Sequence, residues 1–179
     1  MVFSSLTFLF LFFPLAMLLY YLLPWRGYRN VLLLVFSLVF YAWGEPVYIV
    51  LMLLSSLAAY LGGLLMEHFG HRKAVCTFAF VVTVVLITAN LLVFKYLNFF
   101  CDNLSALLGT AIQVPQLRLP IGISFYTFQI LSYVIDLYWG KIALQKNYLN
   151  LPLYVSFFPQ LIAGPIVRYQ TVEEEIHTR

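Results

Sequence analysis

Long apolar runs, separated only by short polar patches, fill almost the whole chain. Hydrophobic residues make up 63% of the 179 positions and charged residues 9%, whereas a soluble domain is about half apolar and a quarter charged. In water these runs would expose large apolar surfaces, but in a bilayer they face lipid. The pattern repeats along the chain, so it is not a detachable signal peptide. We therefore predict an all-α, polytopic transmembrane helical bundle that forms a single membrane domain over residues 1–179.

A helix needs about 20 apolar residues to cross the hydrocarbon core of a bilayer. Runs of suitable length predict crossings at 2–23, 47–66, 74–98 and 119–139. The run 74–98 continues as an amphipathic stretch to 108. The run 30–43 is short and implies either local thinning of the bilayer or a helix that ends inside the protein. Three prolines break the run 147–166, so both a kinked crossing and a re-entrant element stay open. The prediction is five to six spans, a loop at 109–118 and a polar tail at 167–179, whose side of the membrane depends on that choice.

The basic residues predict the orientation of the bundle. The odd-numbered connections carry six of them, namely Arg26, Arg29, Arg72, Lys73, Lys141 and Lys146, and the even-numbered ones carry Lys95 and Arg118. Lys and Arg are retained on the cytoplasmic side, so we expect a multi-pass protein of the inner (cytoplasmic) membrane with its N-terminus outside. The lipid bilayer is the first expected partner. The basic residues form no stripe, so no nucleic-acid partner is expected.

A polar stripe runs along the predicted fifth span. Its members are spaced by 4, 3, 4, 3 and 4 residues, which places them on one helical face: Gly122, Tyr126, Gln129, Tyr133, Asp136 and Gly140. A charged side chain at the bilayer centre costs at least about 2.5–3.5 kcal/mol, so this face must point into the bundle or a wet cavity. Two interpretations stay open. One is helix packing through interhelical hydrogen bonds, with Asp136 paired to Lys141 or Lys146; the other makes Tyr126, Gln129, Tyr133 and Asp136 the wall of a substrate tunnel.

Cysteine and histidine give no sign of a chemical centre. Cys76 and Cys101 are 25 positions apart and show no CxxC pattern, so we interpret both as packing residues. His68 and His71 are three apart in a basic loop with no third ligand in view, and His177 has no catalytic companion. We predict no catalytic residue, no metal site and no bound cofactor in this chain.

Four segments carry a resemblance to a known family. They are residues 1–5, 40–46 (FYAWGEP), 119–129 (LPIGISFYTFQ) and 156–169 (SFFPQLIAGPIVRY). In this order and spacing they resemble the membrane-bound O-acyltransferases, with the bacterial alginate O-acetyltransferase type as the nearer branch and the D-alanyl transferase of teichoic acid synthesis as a more distant one. The resemblance covers essentially the whole chain.

The resemblance implies transfer of an acyl group, with acetyl expected, to hydroxyls of an exported or cell-surface polysaccharide. An acyl donor of unknown identity would feed a tunnel from the cytoplasmic side, and a histidine would accept the hydroxyl proton as general base. A periplasmic or surface acetylation partner would complete transfer to the polysaccharide acceptor.

Members of this family are usually more than twice as long, and their functional histidine lies in the later half. The resemblance therefore implies an N-terminal fragment with a bundle incomplete relative to the family and inactive on its own. A fragmentary gene, a split gene and a partial record stay open as its origin, and a C-terminal partner chain is one way to complete the bundle. Two alternatives are a membrane transporter or flippase-like subunit and a non-catalytic membrane scaffold of a polymer export complex. A single proline-broken segment without an internal repeat counts against the transporter.

Overall fold

The computed structural model describes residues 5–22, 26–108, 118–161, 164 and 167–178. Throughout these residues the regular secondary structure is helical and no strand occurs, which confirms the predicted all-α class for the described part of the chain. A π-helical turn, Phe8–Phe12, precedes α1 (Phe13–Leu22), which is followed by α2 (Arg26–Gly44), α3 (Ile49–His68), α4 (Lys73–Leu108), α5 (Ile123–Tyr138), α6 (Asn150–Ser156), α7 (Phe158–Leu161) and α8 (Tyr169–Thr178).

Two of the described helices, α3 and α4, are long and apolar enough to cross a membrane. The stretches Phe8–Leu22 and Tyr28–Gly44 are also apolar but shorter. The outer faces of these helices carry large apolar side chains. On α4, for example, Phe78 is 70% exposed and Leu86 is 58% exposed. Such a surface is suited to lipid and unsuited to water.

The helices α3 and α4 pack against each other as an antiparallel pair. Gly62 allows this approach, because a Cβ atom at this position would overlap the side chain of Thr83. About two turns away, Asn90 Nδ2 donates a hydrogen bond of 3.0 Å to Ser55 Oγ across the same interface. Small residues and one interhelical amide bond therefore define this pair.

The helix α4 extends beyond its partner. Its 36 residues span about 54 Å at the usual rise per residue, whereas a hydrocarbon core is about 30 Å thick. The ring of Tyr48, immediately before α3, packs edge-on against Phe94 with ring centroids 5.7 Å apart. The residues after Phe94 thus continue past the start of α3, and the predicted continuation of this helix to Leu108 is confirmed.

The boundaries of α5 correct the predicted fifth span. The helix begins at Ile123 and ends at Tyr138, and its 16 residues cover about 24 Å. Gly122 and Gly140 have φ values of 77° and 67°, so both stripe glycines lie outside the helix, where the prediction had placed them inside. Glycine adopts this left-handed conformation without the penalty that a Cβ atom imposes, and it therefore ends the helical geometry on each side.

The helix α2 also differs from its predicted span. It starts at Arg26, before the apolar run 30–43, and its 19 residues cover about 28 Å. Local thinning of the bilayer is therefore not required at this helix. The predicted start was four residues late because it counted only apolar residues, whereas the first helical turn is polar and is suited to the headgroup region.

The segment rich in proline is broken, as predicted. Phe157 leaves helical geometry with φ −50° and ψ 109°, and it separates α6 from α7. Pro152 and Pro159 lie in the first turns of these short helices, where a missing backbone donor costs no hydrogen bond. At the break, the backbone N–H of Phe158 donates to Ser37 Oγ at 3.3 Å. All seven residues of α6 are buried, so this element lies inside the bundle.

Candidate functional site

The four candidate site residues lie on the buried face of α5. Tyr126 and Tyr133 have no solvent exposure, Gln129 is 2% exposed and Asp136 is 4% exposed. The helix packs against α3 and α4 and also meets α6 and α8. The inward orientation of the stripe is therefore as predicted, and its role as a tunnel wall stays a prediction.

The later half of the stripe has partners within the protein. Tyr133 Oη accepts a weak hydrogen bond of 3.4 Å from the backbone N–H of Gln145, and its ring packs edge-on against Tyr169. Asp136 Oδ1 lies 3.9 Å from Lys141 Nζ, so Lys141 is the ion-pair partner among the two lysines expected. These contacts hold α5 to the following loop and to α8.

Tyr169 anchors the predicted polar tail to the core. The residue is fully buried, and its ring also packs edge-on against Tyr154 with centroids 5.2 Å apart. Gln145 Nε2 donates a hydrogen bond to Tyr169 Oη, and Tyr154 Oη donates to Val167 O at 2.6 Å. Burial raises the pKa of Tyr169 to about 12, although the Gln145 hydrogen bond lowers it somewhat. The hydroxyl therefore stays protonated at neutral pH.

Five buried polar atoms have no hydrogen-bond partner among the described residues: Tyr126 Oη, Gln129 Oε1, Asp136 Oδ2, Ser156 Oγ and Gln160 Nε2. An unsatisfied buried group costs about 1–3 kcal/mol, and in native proteins it usually contacts water or a ligand. Three of the five belong to the predicted stripe. Ser156 and Gln160 were not predicted, and they lie on either side of the break between α6 and α7.

These atoms extend along the length of α5. At its start, Tyr41 Oη donates to Ile121 O at 3.0 Å, and a Cβ atom at Gly122 would contact Leu161 Cδ1 at 3.7 Å. Gln160 precedes Leu161, so it lies toward the same end as Tyr126. Asp136 lies ten residues farther along, or about 15 Å. The three stripe atoms thus follow the axis of α5, Gln160 lies toward its start, and the five atoms belong to three different helices.

Sequence reasoning missed several of these residues for different reasons. Gln145 is 3% exposed, but it lies between two lysines in a polar connection and gives no sign of burial in the sequence. Tyr154 and Tyr169 are indistinguishable in sequence from interfacial aromatic residues. Ser156 and Gln160 could have been found, because a proline break at membrane depth leaves polar groups that need partners.

The histidines and cysteines are not grouped into a site. His68 and His71 are exposed at the connection between α3 and α4, and the side chain of His177 lies outside the described residues. Cys76 and Cys101 are free thiols that are partly buried. Among the described residues, no three His, Cys, Asp or Glu side chains come close enough to hold a metal ion.

Curated proteins align with the whole chain. The probable alginate O-acetylase AlgI of Azotobacter vinelandii is 40% identical over 183 aligned positions, which cover 100% of this chain and 36% of that protein. The corresponding protein of Pseudomonas aeruginosa is 39% identical, with 100% and 35% covered. The chain is related to the alginate O-acetylases. The predicted resemblance is thereby confirmed. Together with this relationship, the apolar helices identify the chain as part of a membrane protein.

A more distant relative extends the group to another polymer. The peptidoglycan O-acetyltransferase of Helicobacter pylori is 28% identical over 197 positions, covering 94% of this chain and 37% of that protein. The chain spans little more than a third of the length of each of these relatives. No family model matches the sequence, and no solved structure matches it significantly.

Proposed function

We propose that this chain forms part of a membrane-bound O-acyltransferase and supplies one polar wall of its substrate tunnel. The acyl group is expected to be acetyl, and the acceptor is a hydroxyl of an exported or cell-surface polysaccharide. The proposal rests on the unsatisfied polar atoms along the buried face of α5 and on either side of the α6–α7 break. Whole-chain similarity to proteins named O-acetylases and O-acetyltransferases supports it.

The chemistry of these atoms matches this role. The hydroxyls of Tyr126 and Ser156 can donate and accept hydrogen bonds, Gln129 Oε1 accepts and Gln160 Nε2 donates. Together these groups offer the hydrogen-bond donors and acceptors that sugar hydroxyls and an acyl carbonyl require. Binding would supply the hydrogen bonds that these groups do not make within the described residues.

This wall orients substrates but supplies no histidine as general base. None of the five unsatisfied atoms belongs to a histidine, and His68 and His71 are exposed at the end of the bundle. We therefore propose that the catalytic histidine comes from outside this chain, either from a C-terminal partner chain or from further sequence of the same protein. The chain alone would be inactive, and a periplasmic or surface acetylation partner would receive the acyl group or the polymer.

The proposed orientation places the N-terminus outside the inner membrane. Thr77 Oγ1 and Tyr138 Oη are 2.9 Å apart, so Lys73 at the start of α4 and Lys141 after α5 lie at the same end of the bundle. Arg29 packs over the ring of Tyr20 at the connection between α1 and α2. The last turn of α2 meets the start of α5, because Tyr41 Oη donates to Ile121 O. The start of α2, with the basic connection before it, therefore lies at the same end of the bundle as Lys73 and Lys141. The positive-inside rule makes that end cytoplasmic.

We propose five spans followed by a re-entrant segment. The helices α6 and α7 are each too short to cross a bilayer. Leu161 lies beside Gly122 at the start of α5, whereas Tyr169 lies beside Tyr133, three turns farther along. The chain thus enters toward the outer end and returns, which places the tail on the cytoplasmic side.

A chimera tests the proposed function. The segment of the Azotobacter vinelandii relative that aligns with this chain is replaced by it, and the chimera is expressed in a strain lacking its own alginate O-acetylase. We expect O-acetylated alginate, measured by the acetyl content of the purified polymer. In the same chimera, Gln129→Leu should lower acetylation, because leucine matches the volume of glutamine but offers no hydrogen bond.

Phe128→Leu is the matched control, because Phe128 is the neighbouring residue on α5 and is 50% exposed on the opposite face. It should leave acetylation unchanged. A chimera that reaches the membrane in normal amount and yields no acetylated polymer would refute the proposed function. Turnover by the isolated chain would instead refute its proposed inactivity.

A further inference from the structure

An apolar cavity lies between α1, α2 and the α6–α7 break. Its volume is about 160 Å³, and its walls are formed by Phe13, Ala16, Met17 and Tyr20 of α1, Leu33 of α2, and Phe157 and Phe158 at the break. These walls are almost entirely carbon. An apolar cavity of this size stays free of water and can hold a small hydrocarbon group such as a benzene ring.

The cavity opens onto the outer surface of α1. Two of its walls, Phe13 and Met17, are 41% and 40% exposed, whereas Ala16 and Phe158 are 4% and 5% exposed. The surface around the opening continues as apolar side chains on the same helix, including Leu15, Leu18 and Leu22. In the proposed membrane position, this opening therefore faces lipid hydrocarbon.

Rigid contacts hold the cavity open. The π-helical turn before α1 places the rings of Phe8 and Phe12 against Phe158, with centroids 6.1 and 5.6 Å away. Both rings also pack against Phe40 of α2. The backbone of Phe158 is in turn bonded to Ser37. Since α1, α2 and the break are fixed to one another, the walls cannot collapse freely onto the space between them.

We propose that this cavity binds the end of one acyl chain of a bilayer phospholipid. An unfilled cavity forfeits the dispersion contacts of its walls, and a lipid chain restores them. Hydrocarbon chains are the surrounding solvent at the opening, whereas water finds no polar partners there. The inference rests on the membrane placement in the proposed function, but it assigns a site distinct from the polar face of α5.

Photo-crosslinking tests this site. The full chain is reconstituted in nanodiscs containing a phosphatidylcholine with a diazirine at the end of one acyl chain, irradiated and mapped by mass spectrometry. We expect labelling of Phe158, which a lipid on the outer surface cannot reach. Ala16→Phe fills the cavity and should abolish that label. Leu18→Phe, at a position 58% exposed on the same helix, should retain it.

The stretch 78–86 of α4 serves as an internal reference, because Phe78, Val81, Val85 and Leu86 are exposed on its outer face. Label on this stretch with none on Phe158 would overturn the acyl-chain site alone. Absence of label on both would overturn the membrane placement. Met17→Phe narrows the opening at a more exposed position and replaces Ala16→Phe if that variant does not fold. Unchanged Phe158 labelling in a folded cavity-filling variant would also overturn the inference.

Discussion

At the scale of single residues, the buried core around α5 contains two kinds of tyrosine. Tyr154 and Tyr169 make hydrogen bonds with other parts of the chain, whereas Tyr126 Oη is buried without a partner among the described residues. A satisfied hydroxyl contributes to stability, but an unsatisfied one costs free energy unless a ligand or water completes it. The two kinds should therefore respond in opposite ways to removal of the hydroxyl.

Tyr126→Phe should not lower the thermal stability of the purified chain in detergent, because it removes a buried group that makes no internal hydrogen bond. Tyr154→Phe should destabilise the chain by about 0.5–1.5 kcal/mol, because it removes the hydrogen bond to Val167 O. The measurement is thermal unfolding followed by circular dichroism. In the chimera, Tyr126→Phe should reduce acetylation despite its normal stability; a fully active variant would exclude Tyr126 from the wall.

At the scale of helices, close packing and helix boundaries depend on a few glycines. Gly62 lets α3 approach α4 without a side chain between them, and Gly122 begins α5 in a left-handed conformation. At Gly62, a larger residue is excluded by lack of space. At Gly122, a larger residue is disfavoured by the backbone conformation and not by lack of space, because the nearest neighbour of an added Cβ atom would lie at an ordinary contact distance of 3.7 Å.

Gly62→Ala should destabilise the chain by about 1–3 kcal/mol, because the added Cβ overlaps Thr83 in a packed interface. The double variant Gly62→Ala/Thr83→Ala should recover part of this loss, since the overlapping atoms are removed. Thermal unfolding in detergent measures both. Leu61→Ala, at a position 50% exposed, is the control and should have a smaller effect. Additive losses in the double variant would contradict the proposed contact.

Gly122→Ala should destabilise the chain by about 1–2 kcal/mol through backbone strain, since its φ is 77°. Gly122→Asn should cost less, because asparagine tolerates the left-handed region better than alanine does. Gly140 has a φ of 67° and open space around it, so Gly140→Ala provides a comparison in which only strain acts. Equal stability of the Ala and Asn variants at position 122 would show that strain does not determine this boundary.

At the scale of the whole molecule, the two native cysteines report on the orientation. Cys76 lies near the start of α4 and Cys101 lies in its extension, 25 residues or about 38 Å away. Both are free and partly exposed. They thus provide one thiol toward each proposed side of the membrane without any added mutation in the bundle.

A membrane-impermeant maleimide should label Cys101 in cells whose outer membrane has been permeabilised and whose inner membrane is intact. Cys76 should react only after the inner membrane is opened, because its end of the bundle carries the basic residues. The variants Cys76→Ser and Cys101→Ser separate the two signals. Preferential labelling of Cys76 in intact cells would reverse the proposed orientation.

Much of the architecture could be predicted from patterns along the chain. Apolar runs indicated the helices, and the spacing of Tyr126, Gln129, Tyr133 and Asp136 indicated a buried polar face. The start of α2 and both ends of α5 were placed incorrectly. In the first case polar residues continue a helix, and in the second glycine ends one, so hydropathy alone cannot locate either boundary.

By itself the sequence determined that the chain is helical and apolar, which face of α5 turns inward, and the relation to O-acetylases, because each depends on local periodicity or on the order of residues. Only the tertiary structure decided that Tyr169 of the polar tail is buried beside Tyr133, and that Ser156 Oγ and Gln160 Nε2 are buried without a partner among the described residues. It also decided where the apolar cavity lies. These features depend on contacts between residues far apart in the chain, and no local pattern specifies which distant side chain will fill, or leave open, a given position.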